Sequence, residues 1–426
     1  GRDVGGLDFD RADAATTPYQ FILMAPQSEV EDVLLHDLAS HGVTVHRNTK
    51  LTELHQTEDA ITAVLNDHQV TAQYVVGADG ARSTVREQLG ITFDGDQYAQ
   101  RYLLADCKVD WPLDHAHFRV FMNGTRIGLF LPLNGAETSR VMVTDRGTKP
   151  DLETLQAELR EAMNLPVTLS APIWTSRYQV HLRGAGNYRR GRGFLVGDAA
   201  HIHSPAGGQG MNTGLQDAAN LAWKLAAAVR DDIDVLDTYE AERHPVGVEL
   251  LKFTDRLYRV AAGLTGWRAW LRDALGPFLA GRMSKASLPH RKAFHRLSQL
   301  SLGDRAPDAT INAGEQMFDL LRGYQVHVVA LSRKHLTEAE IAEHTKSLND
   351  LGVTTHLIAR VDTRSDSRVH RADSPQVFEH YGLTKPEAQA LYVIRPDGHV
   401  AWRREELDVE ACRGYLSAGE MSMCTR

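Results

Sequence analysis

Two short apolar runs in this chain each end on a glycine followed closely by an aspartate. They are Tyr74-Val75-Val76-Gly77-Ala78-Asp79-Gly80 and Phe194-Leu195-Val196-Gly197-Asp198-Ala199-Ala200-His201. Buried-type strands that stop in a tight turn open onto the crevice where α/β sheets hold ligands. An aspartate at that edge accepts hydrogen bonds from ribose-like hydroxyls, and Ala199 and Ala200 are small enough to let a ligand chain pass. Ser204-Pro205-Ala206-Gly207-Gly208-Gln209-Gly210-Met211-Asn212 follows, directly before a long amphipathic run. Three glycines let backbone amides approach a planar ring. The helix start behind them supplies partial positive charge.

Other residue groups carry less. His201 and His203 form a lone His-x-His without further ligands, so no metal site is expected. The polar residues Arg119, Arg126, Arg177, Tyr178 and His181 lie in a β-rich middle region and are the candidates for contact with a substrate. None of them is singled out as a catalytic base. The three cysteines, Cys107, Cys412 and Cys424, are far apart and odd in number, with neither a disulfide framework nor zinc spacing; a reducing cytoplasm is the expected setting.

The elements that must position these residues follow from periodicity. A helix is predicted from Gln27 to about Leu38, ended by Gly42, then a short strand over Val43–His46. Strands at Ile61–Leu65 and Tyr74–Gly77 and a helix from about Ser83 to Leu89 complete a first segment, 1–90. Residues 91–185 read as a mostly antiparallel sheet: Tyr102–Val109, His117–Met122, Arg126–Leu131, Arg140–Thr144 and Thr175–Leu182, interrupted by a helix over about Asp151–Met163. The α/β pattern returns over 186–300, where Leu215, Ala218, Ala222, Leu225 and Val229 mark one face of a long helix. After a linker at Ser301–Asp308, residues 301–426 form a small α/β unit that ends in a hairpin turning at Pro396-Asp397-Gly398.

A reduced flavin carries negative charge along its N1–C2=O edge, and a glycine loop before a helix start stabilises it. The run Tyr188–His201, continuing through Pro205 to Asn212 and Leu221-Ala222-Trp223-Lys224-Leu225, closely resembles the flavin-binding motif of FAD-dependent aromatic hydroxylases. These are single-component flavoprotein monooxygenases of the para-hydroxybenzoate hydroxylase fold. Val76–Arg86 resembles the family's second motif, which serves FAD and NADPH, and Tyr239–Pro245 is similar to the signature after the long helix. The unit after Ser301 looks like the thioredoxin-like domain of the phenol and polyketide hydroxylase branch. The implied fold class is α/β: an incomplete FAD-binding Rossmann-like domain, an inserted antiparallel β-sheet substrate domain and a C-terminal thioredoxin-like domain.

The resemblance implies that Gln27 touches the flavin chain and that Asp198 binds the ribityl group. Pro205, Gly208, Gly210, Met211 and Asn212 line the isoalloxazine, and Asp79 supports the pyrophosphate region through its loop. The implied reaction is reduction of FAD by NADPH (or NADH), addition of O2 to give a flavin C4a-hydroperoxide, and hydroxylation of a phenolic or polyketide ring. The cofactor carries the hard chemistry, so the protein's tasks are to place the ring, exclude water and help ionise a phenol. The C-terminal unit has Ser332-Arg333-Lys334-His335 where a redox dithiol would stand, so its expected role is packing or subunit contact.

One departure stands out. The dinucleotide fingerprint Gly-x-Gly-x-x-Gly is absent, and the chain opens at Gly1 rather than Met. The expectation is that about 100 residues carrying the ADP-binding half lie upstream. The alternative is a non-catalytic remnant that binds aromatic ligands or dimerises without FAD; the intact flavin loop argues for the first reading. Bulk properties agree with an enzyme of this kind. The 426 residues are 42% apolar, with 47 Lys+Arg against 55 Asp+Glu and a net charge of −8, which argues against a nucleic-acid binder. Residues 251–300 hold ten Lys/Arg against two acids and read as a solvated or subunit-facing surface, so a homodimer is left open. No apolar run is long enough to span a membrane.

Overall fold

The computed structural model describes residues 23–134, 137–147, 149–203, 209–262, 302–362 and 367–418. Of these, 23–214 and 247–262 form one compact unit; 215–246 and 302–418 form a second.

The first unit opens with α1 (Gln27–Ser40), which buries none of its residues and leaves Val33 and Leu34 exposed. Gly42, at φ +73°, ends it in the left-handed region. Val43–His46 alternates like a strand but belongs to no sheet. A strand requires a ladder partner, and Val43 N–H donates back to the Leu38 carbonyl at 3.0 Å instead. β1 (Leu51–Gln56), β2 (Ile61–Leu65) and β3 (His68–Ala72) form an antiparallel meander. Asn66 and Asp67 turn β2 into β3, both at positive φ, as a tight two-residue hairpin demands. β4 (Val75–Gly77) and α2 (Thr84–Gln88) come next.

The main sheet uses β5 (Phe93–Asp110), β6 (Arg119–Asn123), β7 (Arg126–Asn134) and β8 (Thr138–Asp145). α3 (Leu152–Met163) and β9 (Thr168–Ala185) follow, then β10 (Arg189–Arg190), β11 (Gly193–Leu195) and β12 (His201–Ile202). The six-stranded order is β12-β9-β5-β8-β7-β6, antiparallel throughout. β5 and β9 run longer than their apolar alternation suggests, because the polar stretch Asp94–Arg101 continues the backbone ladder to β9 through an irregularity between Gln97 and Arg101. One face of the sheet packs on α3 through Leu103, Phe130, Val141, Val143, Leu155 and Leu159, all buried. Each such side chain contributes roughly 1.5–3 kcal/mol of burial. The other face carries Tyr102, Ile127, Met142, Val180 and Tyr178, with Tyr98 and Tyr258 against them. A separate sheet has the order β10-β11-β4.

Two long helices, α4 (Gly210–Arg230) and α5 (Asp237–Ala262), follow, the second with Pro245 inside it. In the second unit, Arg395 donates from Nη1 and Nη2 to both oxygens of Glu242 at 2.9 Å and lies 2.6 Å from Asp397. Lys224 Nζ reaches Glu242 at 3.1 Å, and Asn220 donates to Glu242 and Asp397 at 2.7 and 3.0 Å. Burial draws the Lys224 amine down to about 8, although Glu242 opposes that.

The rest of this unit comprises β13 (Thr310–Asn312), β14 (Glu315–Gln316), α6 (Met317–Leu320), β15 (His327–His335) and α7 (Glu338–Asn349). β16 (Thr354–Arg360), β17 (Val369–Arg371), α8 (Gln376–His380), β18 (Gln389–Ile394), β19 (Val400–Arg404) and α9 (Val409–Ser417) complete it. α7 starts at a reciprocal cap in which Thr337 and Glu340 each accept from the other's backbone N–H. The five-stranded sheet has the order β17-β16-β15-β18-β19, with β15, β16 and β17 parallel and the hairpin β18/β19 antiparallel, and a buried apolar core covers each face.

Candidate functional site

β4 and β11 pair in parallel, with Val76 opposite Phe194 and Gly77 opposite Leu195. Their carboxyl ends therefore lie side by side, and each runs directly into its glycine-aspartate turn. Val196 N–H closes the pair onto the Gly77 carbonyl at 3.0 Å. Gly80 (φ +78°) and Gly197 (φ +57°) are both left-handed, which is what the two turns require of glycine.

Asp79 is spent on its own loop. Its carboxylate accepts from Ser83 Oγ and, at 3.1 Å, from Val85 N–H, while Ser83 Oγ caps α2 by accepting from Arg86 N–H at 2.9 Å. This fits a supporting role for Asp79. Arg86 then joins the two loops: Nη1 donates to the Ala199 carbonyl at 2.8 Å and Nη2 to the Ala81 carbonyl at 2.9 Å. Its guanidinium lies 3.7 Å from the centre of the Phe93 ring, and burial lowers its pKa. Sequence reasoning quoted Arg86 within the motif but gave it no role. A buried arginine that bonds only backbone carbonyls has no partner visible in the sequence.

Asp198 sits on a single helical turn, Gly197–Ala199, with its side chain exposed. The first turn of α4 is placed directly against this turn. Gly214, one turn into α4, packs on it: a Cβ there would lie 3.2 Å from Gly197 Cα, tighter than an ordinary contact. Met211 and Asn212 are exposed on that same first turn, and a Cβ on Gly210 would lie 3.4 Å from His203 Nε2. Helix-start amides and an exposed carboxylate on the adjoining turn suit the ribityl chain and ring edge of a flavin. Gln27 starts α1, is exposed, and donates to Glu31 on its own helix at 2.8 Å; its described contact leads to neither loop. Pro205 and Gly208 lie outside the described residues.

The middle-region candidates divide by face. Arg177 pairs with Asp145 at 2.6 Å, Arg126 with Glu161 of α3, and Arg119 with Asp114. Arg177 stands opposite Leu103 and Arg119 opposite Phe130, so these two belong to the α3 side of the sheet, and Arg126 reaches that side through Glu161. Tyr178 is on the opposite face. Its phenol is held protonated by burial and by the nearby Asp198 charge. The His181 imidazole is lowered by burial and by the Arg183 and Arg82 charges. Around Tyr178 the structure adds residues that sequence reasoning did not find. Tyr98 donates to Asp255, Tyr102 and Tyr258 exchange a hydrogen bond at 3.1 Å, and the Tyr98 and Tyr258 rings are 4.2 Å apart. Burial raises all three phenols, Tyr98 to about 12. Tyr98, Tyr102, Tyr178 and Tyr258 thus form a cluster of neutral tyrosines on this face of the sheet.

A family model described as an FAD binding domain matches residues 3–254. Pentachlorophenol 4-monooxygenase from Sphingobium chlorophenolicum is 34% identical over 437 residues, covering 93% of this chain and 80% of that protein. Rifampicin monooxygenase from Streptomyces venezuelae is 32% identical, covering 94% and 80%. Among solved structures, an anhydrotetracycline hydroxylase from Streptomyces rimosus superposes with a TM-score of 0.69 at 26% identity, covering 98% of this chain and 82% of that one.

Proposed function

The chain belongs to the FAD-dependent aromatic hydroxylases, which are flavoprotein monooxygenases, and from that premise we propose that it hydroxylates a phenolic or polyketide ring using FAD, NADPH and O2. One observation carries the cofactor reading: the parallel pairing of β4 with β11 sets both glycine-aspartate turns at one sheet edge, with the start of α4 packed on Gly197.

Bound there, FAD would take reducing equivalents from NADPH and pass one oxygen atom of O2 to the substrate ring. The residues of the chain do the rest. Asp198 accepts hydrogen bonds from the ribityl hydroxyls. The amides at the start of α4 would face the electron-rich edge of a bound ring, with Met211 and Asn212 exposed on that turn. Asp79 and Arg86 keep the two loops in register. Tyr178, Tyr98, Tyr102 and Tyr258 form a wall of protonated phenols; Tyr98 donates to Asp255 and Tyr258 to Gln100, so Tyr178 is the one read as donating to a substrate oxygen. The relatives are named for pentachlorophenol, rifampicin and anhydrotetracycline, which supports an aromatic substrate here. Residues 301–426 are read as the thioredoxin-like domain, in a role of packing or subunit contact.

The test has two stages. FAD is titrated into the protein and followed by visible absorption and flavin fluorescence; the chain is expected to bind it, and Asp198→Ala to weaken binding by roughly tenfold, about 1.4 kcal/mol. A chain that gains no flavin overturns the cofactor reading. NADPH oxidation is then measured against a panel of phenols and aromatic polyketides with product detection. Absence of hydroxylated product from every member, with flavin bound, overturns the substrate reading alone.

A further inference from the structure

The second unit contains a row of three buried histidines for which flavin chemistry has no use. His327, His356 and His370 lie on the adjacent strands β15, β16 and β17 and are almost fully buried. Alternation puts them on one face of the sheet, the face that also carries Val329, Leu331, Ile358 and Ala372. His327 Nδ1 is 3.2 Å from His356 Nε2, His356 Nδ1 is 3.3 Å from His370 Nε2, and His370 Nδ1 is 2.7 Å from Glu315 Oε1 on β14. Each imidazole thus uses one ring nitrogen towards each neighbour, end to end, and the row finishes on a carboxylate. The rings of successive members are 5.4 Å apart.

The carboxylate sets the direction of the row. A carboxylate only accepts, so His370 carries its proton on Nδ1 and its Nε2 accepts. His356 must then donate from Nδ1 and accept at Nε2, and His327 must donate from Nδ1. That leaves His327 Nε2 as a bare acceptor, buried and without a hydrogen-bond partner among the described residues. One added proton reverses everything. If it enters at His327 Nε2, the Nδ1 proton of His327 passes to His356 Nε2, and the Nδ1 proton of His356 passes to His370 Nε2. The result is one imidazolium, at His370, paired with Glu315. His356 and His327 remain neutral in their other tautomer, and His327 Nε2 is now a donor.

We propose that His327, His356, His370 and Glu315 form a one-proton switch in which charging the His370–Glu315 end reverses both inter-imidazole hydrogen bonds and changes His327 Nε2 from acceptor to donor. The charge settles on His370 because Glu315 is its partner. Burial lowers His327, and burial together with the His370, His327 and Arg368 charges brings His356 down to about 3, so neither of these rings holds the charge itself. Among the described residues, the other charged groups at the row are Arg368 and, on α6, Asp319, which is paired with Arg322 at 2.7 Å. The neighbouring strands contribute uncharged residues: Ile394 and Thr354 stand opposite His327, and Val329 opposite His356. A cavity of about 880 Å³, lined by Glu315, Asp319, His356, Arg368 and His370, brings solvent to the carboxylate end.

The experiment is a pH titration of the full chain, labelled with 15N at histidine only, read by long-range 15N–1H correlation, which distinguishes Nδ1–H from Nε2–H. The expected result is that His356 and His327 exchange tautomer in the same pH step in which His370 becomes a cation. In Glu315→Gln the step should move to lower pH at all three rings, including His327, which does not touch Glu315. The proposal is overturned if His327 keeps one tautomer through the His370 step, if its step stays in place while that of His370 moves, or if no step appears before acid unfolding. The wild-type titration decides the matter even if the variant fails to fold.

Discussion

Arg86 Nη1 donates to the carbonyl of Ala199 at 2.8 Å, so one buried guanidinium ties the loop after β4 to the loop after β11. The same side chain holds Ala81 within its own loop. Arg86→Ala should cost about 1.5–3 kcal/mol in urea unfolding, the range for hydrogen bonds made by a charged group. It should also weaken FAD binding. Arg86→Lys has one terminal nitrogen for two carbonyls and should recover the stability only in part.

The contact between Gly214 and Gly197 predicts a split between stability and binding. Gly214→Ala gains up to about 1 kcal/mol of helix propensity. The new Cβ would sit 3.2 Å from Gly197 Cα, and Gly197 is held at φ +57°. The helix start must retreat from the aspartate turn. The expected outcome is a melting temperature close to wild type with FAD affinity reduced roughly tenfold, about 1.4 kcal/mol. Equal loss of both would show that the contact serves the fold alone.

The buried ionic group in the second unit should respond to loss of a single charge. Burial alone would raise the Glu242 carboxyl, but Arg395 and Lys224 hold it below its ordinary range. Glu242→Gln leaves Lys224 buried without its carboxylate and should cost about 3–5 kcal/mol, as for a broken buried pair. The measurement is urea unfolding followed by tryptophan fluorescence, since Trp223 donates to Asp397 within the same group.

Acid should destabilise the protein through its histidines. His356 is neutral in the folded chain down to about pH 3, and His327 is likewise lowered, while an unfolded histidine takes up a proton near pH 6.5. Below roughly pH 6.5 the unfolded chain binds protons that the folded one refuses. The stability from His356 is complete above that value and is lost as pH falls towards 3, at about 1.4 kcal/mol per pH unit. Unfolding free energies measured from pH 6 to 4 should fall with about this slope, and more gently in His356→Gln.

What the sequence revealed is what is local. The two glycine-aspartate turns, α4 and the hairpin at Asp397-Gly398 are written in consecutive residues, and the structure places them where that reading does. Alternation also located β6, β7 and β8 to within a few residues. Pairings between distant residues left no such signal. Nothing near Arg86 announces Ala199, and nothing near Tyr98 announces Asp255. The histidine row is spread over three strands whose order is fixed only by sheet pairing. Val43–His46 shows the converse error, since alternation suits a strand but cannot supply its partner. The polarity of the middle-region arginines is visible in the sequence, but the strand face, which depends on register, ties all three to nearby carboxylates.

The bond from Arg86 to Ala199 spans 113 residues of chain, and β5 to β9 lie between its ends. Contacts so distant in sequence form slowly, because the loop must close before any reward is gained. β4 waits for a partner that is translated only after the whole intervening sheet has emerged. The two halves of the pocket therefore meet near the end of folding, and the appearance of bound flavin would serve as a clock for its completion.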